Sequence, residues 1–145
     1  MSVEQNKAIC RRVHTDIFEA GRLEVADEIF APDARFHGPD WAPSGRGPEV
    51  IKQDAAAYRN AFRIDKLTRD LEVAEGDLVT HHWTFTGTHV GDLGAVKPTG
   101  RQVTVSGIDV YRVRDDRIAD MYQQFDQMGM MTQLGVIPAA ETVQA

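Results

Sequence analysis

Cysteine is almost absent from this 145-residue sequence, and its one copy, Cys10, cannot form a disulfide within the chain. Cys10 lies in an amphipathic stretch, where a free cysteine ordinarily serves as a small buried apolar residue. The sequence has no apolar run of the about 20 residues that cross a membrane, and its start lacks the apolar segment of a signal peptide. We therefore expect a cytoplasmic protein whose core forms without disulfide or metal support.

Basic residues are few and scattered. The chain has 16 Lys and Arg against 22 Asp and Glu, which gives a net charge of -6. Sequence-independent binding of nucleic acid needs clustered Lys and Arg that face the phosphates. The composition therefore argues against a nucleic-acid partner.

Several motifs of enzyme active sites are missing. The sequence contains no Gly-x-Ser-x-Gly nucleophile elbow, no phosphate-binding loop and no dinucleotide-binding fingerprint. These absences disfavour covalent catalysis and nucleotide cofactors. Acid–base chemistry in a pocket, or binding without catalysis, remains.

Hydrophobic periodicity predicts three helices in the N-terminal half. The first covers residues 3–20, because apolar side chains recur there at every fourth position: Ile9, Val13 and Ile17. A short second helix ends at Pro32, and Pro48 suits the first turn of the third. The third helix has one apolar face, made of Ile51, Ala55, Tyr58 and Phe62.

From Arg63 onward the hydrophobic period changes to two, which predicts strands. After a short strand over 34–37, long strands run from Arg63 to a turn at 75–77 and over 78–89, 103–113 and 118–126, and a short helix covers 127–134. Helices followed by antiparallel strands are typical of an α+β domain whose helices pack on one face of a sheet. We expect a single domain over 1–145, with a loose tail over 136–145.

The strand over 103–113 carries two conflicting patterns. Its two leading valines share one parity, whereas Ile108 and Val110 share the other. Either both faces are buried, or the pleat slips near Ser106 and Gly107. A bulge there would bend the sheet and allow it to enclose a cavity.

The last strand offers the strongest candidates for chemistry. Asp120, Tyr122, Gln124 and Asp126 share one face, which either points outward or lines a cavity. Asp126 ends the strand beside a Met-rich segment, and a carboxylate against apolar side chains has a raised pKa and can act as a general base. The alternative is that Asp126 caps the helical turn that follows.

The histidines do not suggest a metal site. His81 and His82 are adjacent on a strand, so their side chains leave opposite faces. His37, His82 and His89 lack the spacing of metal ligands. We expect no metal, and these three histidines are either hydrogen-bonding groups at a pocket rim or surface residues.

Segments of the C-terminal half resemble a known family. They are WTFTGTH at 83–89, PTGR at 98–101, SGIDVYR at 106–112 and FDQMG at 125–129, followed by QLG at 133–135. In this order and spacing the sequence resembles the SnoaL-like polyketide cyclase (ester cyclase) family of the nuclear-transport-factor-2-like superfamily. The resemblance extends from the first helix to about Pro138.

The resemblance implies a cone-shaped α+β barrel, in which three helices lie across a strongly curved mixed or antiparallel sheet around a deep apolar cavity. It implies ring closure of an aromatic polyketide ester by intramolecular aldol condensation, without metal or cofactor. It also implies a homodimer or higher homo-oligomer, because the open sheet face of this fold commonly packs on a partner. The acid/base of the family is an aspartate at the end of the final strand, which corresponds here to Asp126.

A mechanism follows as a hypothesis from this resemblance. Asp126 removes a proton between two carbonyls of a small apolar or aromatic substrate, and His82 or Tyr122 hydrogen-bonds the oxyanion. The remaining predicted pocket residues are His37, Trp41, Phe62, Trp83, Phe85, His89 and Gln124.

Departures from the family and two alternatives leave the reaction open. The last strand has Asp120-Met121-Tyr122 where the family usually has Glu-x-Trp, which puts the substrate in doubt more than the fold. The first alternative is an epoxide hydrolase or isomerase on the same fold. The second is a domain without catalysis that binds a small ligand or serves as a dimerising accessory.

Overall fold

The computed structural model describes residues 2–40 and 42–138 and confirms the α+β class. The first half of the chain contains α1 (Val3–Arg12), a π-helical continuation (Val13–Glu19), α2 (Val25–Ile29), β1 (Phe30–His37) and α3 (Pro48–Ala61). The second half contains β2 (Phe62–Glu75), β3 (Leu78–His89), β4 (Gln102–Arg114), β5 (Arg117–Phe125) and α4 (Gln127–Gln133). None of the helices over these residues is long and apolar enough to cross a membrane.

The five strands form one mixed sheet in the order β1-β5-β4-β3-β2. β1 runs parallel to β5, and the other neighbours are antiparallel. The sheet is open, because β1 and β2 are its two edges. The register of β2 against β3 shifts after Ile64 and again after Arg69, and such irregularities bend and twist a sheet. The three predicted N-terminal helices are present; in the tail, residues 139–145 lie outside the described part.

The first helix changes its winding where it meets the sheet. Its start is fixed by a capping box, in which Ser2 accepts a hydrogen bond from the Gln5 backbone and the Gln5 side chain accepts one from the Ser2 backbone. After Arg12 the helix widens, and the Ala20 N–H donates to the carbonyl oxygen of Thr15, five residues back. π-Helical turns occur frequently at functional sites, and this one carries His14.

Strand β4 keeps one parity throughout, so the predicted slip near Ser106 and Gly107 is wrong. Its pairing with β3 is unbroken. The face that the helices cover, here called the inner face, takes every odd-numbered residue of β4 from 103 to 113, all of them buried. Ile108 lies on the opposite, outer face and is 46% exposed. Single exposed apolar residues are common on protein surfaces. Ile108 and Val110 are apolar residues of the outer face, and their spacing led to the wrong prediction of a slip.

The buried apolar residues form two clusters. The larger cluster joins α1, α2, α3 and the sheet around Val13, Ile17 and Tyr111. The smaller cluster joins the end of α3, β2, β4 and α4 around Phe62, Val105 and Met130.

Candidate active site

A cavity of about 70 Å³, partly open to solvent, lies where the two apolar clusters meet. Its walls are mainly apolar and aromatic: Phe18, Tyr58, Ile64, Leu67, Trp83, Phe85, Val105, Phe125 and Met130. An imidazole, a carboxyl and an amide also line the cavity, from His14, Asp54 and Gln123. A concave apolar site with a few convergent polar groups is the usual form of a small-molecule site.

Asp54 is the carboxyl group that lines this cavity. It is 4% exposed, and no hydrogen bond joins its side chain to any residue in the described part of the chain. Burial raises the pKa of Asp54 to about 7, and the nearby negative charge of Asp109 adds to the rise. A carboxyl group with this pKa is divided between its acid and base forms at neutral pH, which suits general acid–base catalysis.

The position of Asp54 on α3 explains its burial. It lies three residues after Ile51 and four before Tyr58, so the helical period puts it on the apolar face of α3. The sequence predicted the apolar face of α3 but did not identify the Asp54 carboxylate on it. A single carboxylate among apolar residues on one helix face was the signal that could have identified the site.

A network of buried hydrogen bonds supports the polar end of the cavity. The Oδ2 atom of Asp109 lies 2.8 Å from His14 Nε2 and accepts from the Tyr111 hydroxyl at 2.9 Å. Its Oδ1 atom accepts from Gln123 Nε2 at 3.2 Å. Asp109 itself is fully buried. These contacts fix the imidazole of His14 and the amide of Gln123 at the cavity wall.

Asp109 and Gln123 lie side by side because their strands do. They are register partners of β4 and β5, and both belong to the inner face. The sequence interpretation missed Asp109 because the inferred slip at Gly107 obscured its parity. Gln123 was less prominent in the sequence, because the opposite face of β5 carries more polar side chains.

Aromatic side chains form the walls of the cavity. The Trp83 ring lies 6.1 Å from His14 and 6.4 Å from Phe125, between centroids. The indole N–H of Trp83 is buried and has no hydrogen-bond partner among the described residues. Trp83 and Phe85, both predicted as pocket residues, lie on this wall.

Asp126 is not among the residues that line the cavity. Its side chain is exposed and caps α4, where Oδ1 accepts a hydrogen bond from the Gly129 backbone at 2.8 Å. This is the capping alternative that the sequence left open. Asp126 lines a second, more open pocket together with His82 and Gln124. Its role as base stays a prediction, and the geometry of the cavity does not support it.

Four other predicted site residues belong to the outer side of the sheet. His82 is half-buried beside Asp70, and Gln124 is exposed. Tyr122 is 41% exposed and stacks on His37 with ring centroids 4.3 Å apart. None of the four is among the residues that line the cavity, and their roles in the site stay predictions. The reason is the pleat: Met121 and Gln123 of β5 face inward, so the polar residues between them face outward.

Two predicted pocket residues belong to the core, and one lies outside the described residues. Phe62 is 1% exposed and packs in the smaller cluster, with its ring 5.3 Å from that of His89. His89 is fully buried, and its Nδ1 accepts from the Thr99 backbone at 3.1 Å. Neither lines the cavity. Trp41 falls between the two described ranges.

The described residues contain no group of three or more His, Cys, Asp or Glu side chains placed to hold a metal ion. The cavity brings together a carboxyl of raised pKa, an imidazole held by Asp109 and an amide, within apolar walls. Such an arrangement can move a proton on a small organic molecule held in the cavity.

Comparison with known proteins agrees with this architecture. The family model for SnoaL-like polyketide cyclase matches residues 8–134, and the chain belongs to this family. The nogalonic acid methyl ester cyclase of Streptomyces nogalater is 28% identical over 121 residues, which cover 81% of this chain and 89% of the relative. The aklanonic acid methyl ester cyclase DnrD of Streptomyces peucetius is 30% identical over 109 residues, covering 74% and 72% of the two chains.

Solved structures show the same fold. TsrD from Streptomyces laurentii superposes with a TM-score of 0.83 at 24% identity, over 94% of this chain and 99% of the other. IdmH from Streptomyces antibioticus superposes with a TM-score of 0.76 at 29% identity, over 90% and 99% of the two chains.

Proposed function

We propose that this protein is a cyclase that closes a ring in a polyketide-type ester by acid–base catalysis, with Asp54 as the group that moves the proton. The observation that carries the proposal is the position of Asp54: a carboxyl with a pKa of about 7, without a hydrogen-bonding side chain in the described structure, in the wall of an apolar cavity. Family membership supports the class of reaction. The proposal replaces Asp126 with Asp54 as the base.

The reaction balances without any co-reactant. The Asp54 carboxylate removes a proton from a carbon between two carbonyl groups, and the electron pair of the C–H bond becomes an enolate. The enolate carbon then bonds to a carbonyl carbon of the same molecule while the π bond of that carbonyl breaks. The new alkoxide takes the proton back from Asp54, so the protein ends in its starting state.

The groups around Asp54 suit the charges that develop in this sequence. One N–H of the Gln123 side chain bonds to Asp109, and the other N–H of this amide can donate to an enolate or alkoxide oxygen. Aromatic walls hold a flat substrate and exclude water, which strengthens these hydrogen bonds. Holding both ends of the substrate close together lowers the entropic part of the barrier.

A cyclisation assay tests the proposal. The methyl esters of nogalonic and aklanonic acid, named for the two relatives, are the first substrates to try, with product followed by chromatography. We expect Asp54→Asn to lower the rate by about 10²–10⁴-fold, the usual contribution of a general acid or base. Asp126→Asn is the matched control, because Asn caps a helix about as well as Asp and the fold is kept. Loss of activity in the control alone would restore Asp126 as the base.

The predicted homodimer is also a proposal, and the outer face of the sheet supports it. Three of its apolar side chains are strongly exposed: Leu71 at 64%, Val73 at 65% and Ile108 at 46%. We propose that a second copy of the chain covers this face. Ultracentrifugation should find a dimer that Ile108→Glu dissociates, and a wild-type monomer at high concentration would refute the proposal.

A further inference from the structure

Behind the cavity, two buried histidines lie between two carboxylates. His14 Nε2 is 2.8 Å from Asp109 Oδ2, and His81 Nε2 is 2.8 Å from Glu72 Oε2. The two imidazole centroids are 5.8 Å apart. His81 is fully buried, and His14 is 7% exposed.

Both imidazoles have an unused nitrogen. The Nδ1 atoms of His14 and His81 are buried, and neither has a hydrogen-bond partner among the described residues. Glu72 is ionised at neutral pH, because hydrogen bonds from Arg11 hold its pKa at about 2. An ionised carboxylate only accepts hydrogen bonds, so His81 Nε2 carries the hydrogen of that contact.

The surroundings decide how many protons the two rings can hold. A second imidazolium 5.8 Å from the first binds its proton roughly a hundredfold more weakly, taking an effective dielectric constant near 20. Burial lowers the pKa of His81 below its ordinary value, and the hydrogen bond with Glu72 opposes this lowering. The titratable and charged groups that face the pair are Cys10 and Arg11 of α1, Asp54 of α3, Arg69 and Glu72 of β2, and Asp109 and Tyr111 of β4.

We propose that His14 and His81 form a coupled pair that holds one added proton, so that only one of the two rings is positively charged at a time. His81 is thereby a positioning residue that sets the charge of His14 at the cavity wall. A proton on His14 offsets the charge of Asp109 beside Asp54, whereas a proton on His81 leaves that charge uncompensated. The pair itself does not depend on the proposed cyclase reaction; its effect on turnover rests on that proposed function.

Histidine-selective ¹⁵N NMR on the substrate-free protein, between pH 5 and 9, tests the pair directly. In the wild type we expect the two rings to share one added proton. The ¹⁵N signals of each ring should then show only part of the full protonation change, spread over a broad pH range. In Glu72→Gln the proton should shift toward His14, and in Asp109→Asn toward His81. His81→Gln removes the second ring, so the ¹⁵N signals of His14 should follow pH differently from those of the wild type. Glu75→Gln, an exposed change on the same strand, is the matched control and should leave both curves as in the wild type.

Two independent full titrations in the wild type, unaffected by Glu72→Gln, would overturn the proposal. Because Glu72→Gln also releases Arg11, His81→Gln provides a second variant if the first does not fold. The pH dependence of turnover separates this proposal from the proposed function. Glu72→Gln and His81→Gln should move the pH profile without abolishing activity, whereas failure of Asp54→Asn to lower activity would refute the cyclase mechanism and leave the NMR result standing.

Discussion

Replacing Asp54 with Asn should change how the stability of the protein depends on pH. The carboxyl of Asp54 has an ordinary pKa of 3.8 and a pKa of about 7 in the fold, because it is buried and faces the charge of Asp109. Between these two values the unfolded chain has released the proton while the folded chain still holds it. Stability therefore falls as pH rises from about 4 to 7 and then levels off.

The size of the effect follows from the difference between the two pKa values. The difference is 7 − 3.8 = 3.2 units. At 1.36 kcal/mol per unit, ionisation of Asp54 removes about 4 kcal/mol from the wild type by pH 8, and Asp54→Asn escapes this loss. The variant should therefore gain about 4 kcal/mol relative to the wild type between pH 4 and pH 8.

Urea unfolding at a series of pH values measures this difference, because contributions from groups that do not interact with Asp54 cancel between the two proteins. Asp126→Asn serves as the control, since that carboxyl is exposed at the start of α4. Equal pH dependence in wild type and Asp54→Asn would refute the conclusion that the fold raises the pKa of Asp54.

Three further predictions concern packing and acid stability. Gly107→Ala should destabilise the fold by about 1–3 kcal/mol, because the new methyl group meets the Trp83 ring and Phe125. Urea unfolding measures this loss, and an unchanged midpoint would show that the Trp83 ring can move away at no cost. Phe62→Ala should cost about 3–5 kcal/mol in the same assay, since the side chain is 1% exposed within the smaller cluster, and a loss below 1 kcal/mol would contradict that packing. Glu72 has a lowered pKa of about 2, chiefly through Arg11, so its contribution to stability is present above about pH 4.5 and is lost as pH falls toward 2. Glu72→Gln should flatten the stability curve over that interval, and a curve as steep as the wild type would contradict the ion pair.

The sequence predicted the fold well because its signals are local and periodic. The helical period of α3 and the alternation in β3 depend only on neighbouring residues, and the family resemblance supplied the arrangement of the sheet. The alternation in β5 was also clear: Tyr122 and Gln124 share one face. Alternation does not tell which face the helices cover, since that depends on contacts between distant segments.

The site was harder to predict for the same reason. Asp126 was prominent in the sequence because it ends a strand, yet its contact is with the Gly129 backbone three residues later. Asp54 and Asp109 are 55 positions apart and form one site only after α3 packs across the sheet. Burial raises the pKa of Asp54, and burial is a property of the packed fold.

Deuterium exchange at the acidic carbon of a substrate measures directly whether Asp54 takes its proton. An aromatic β-keto ester is incubated in heavy water near pH 7 with the wild type, Asp54→Asn or Asp126→Asn, and uptake at the acidic carbon is followed by NMR. We expect uptake above background with the wild type and with Asp126→Asn, and background uptake with Asp54→Asn. Exchange at the wild-type rate with Asp54→Asn would contradict this expectation.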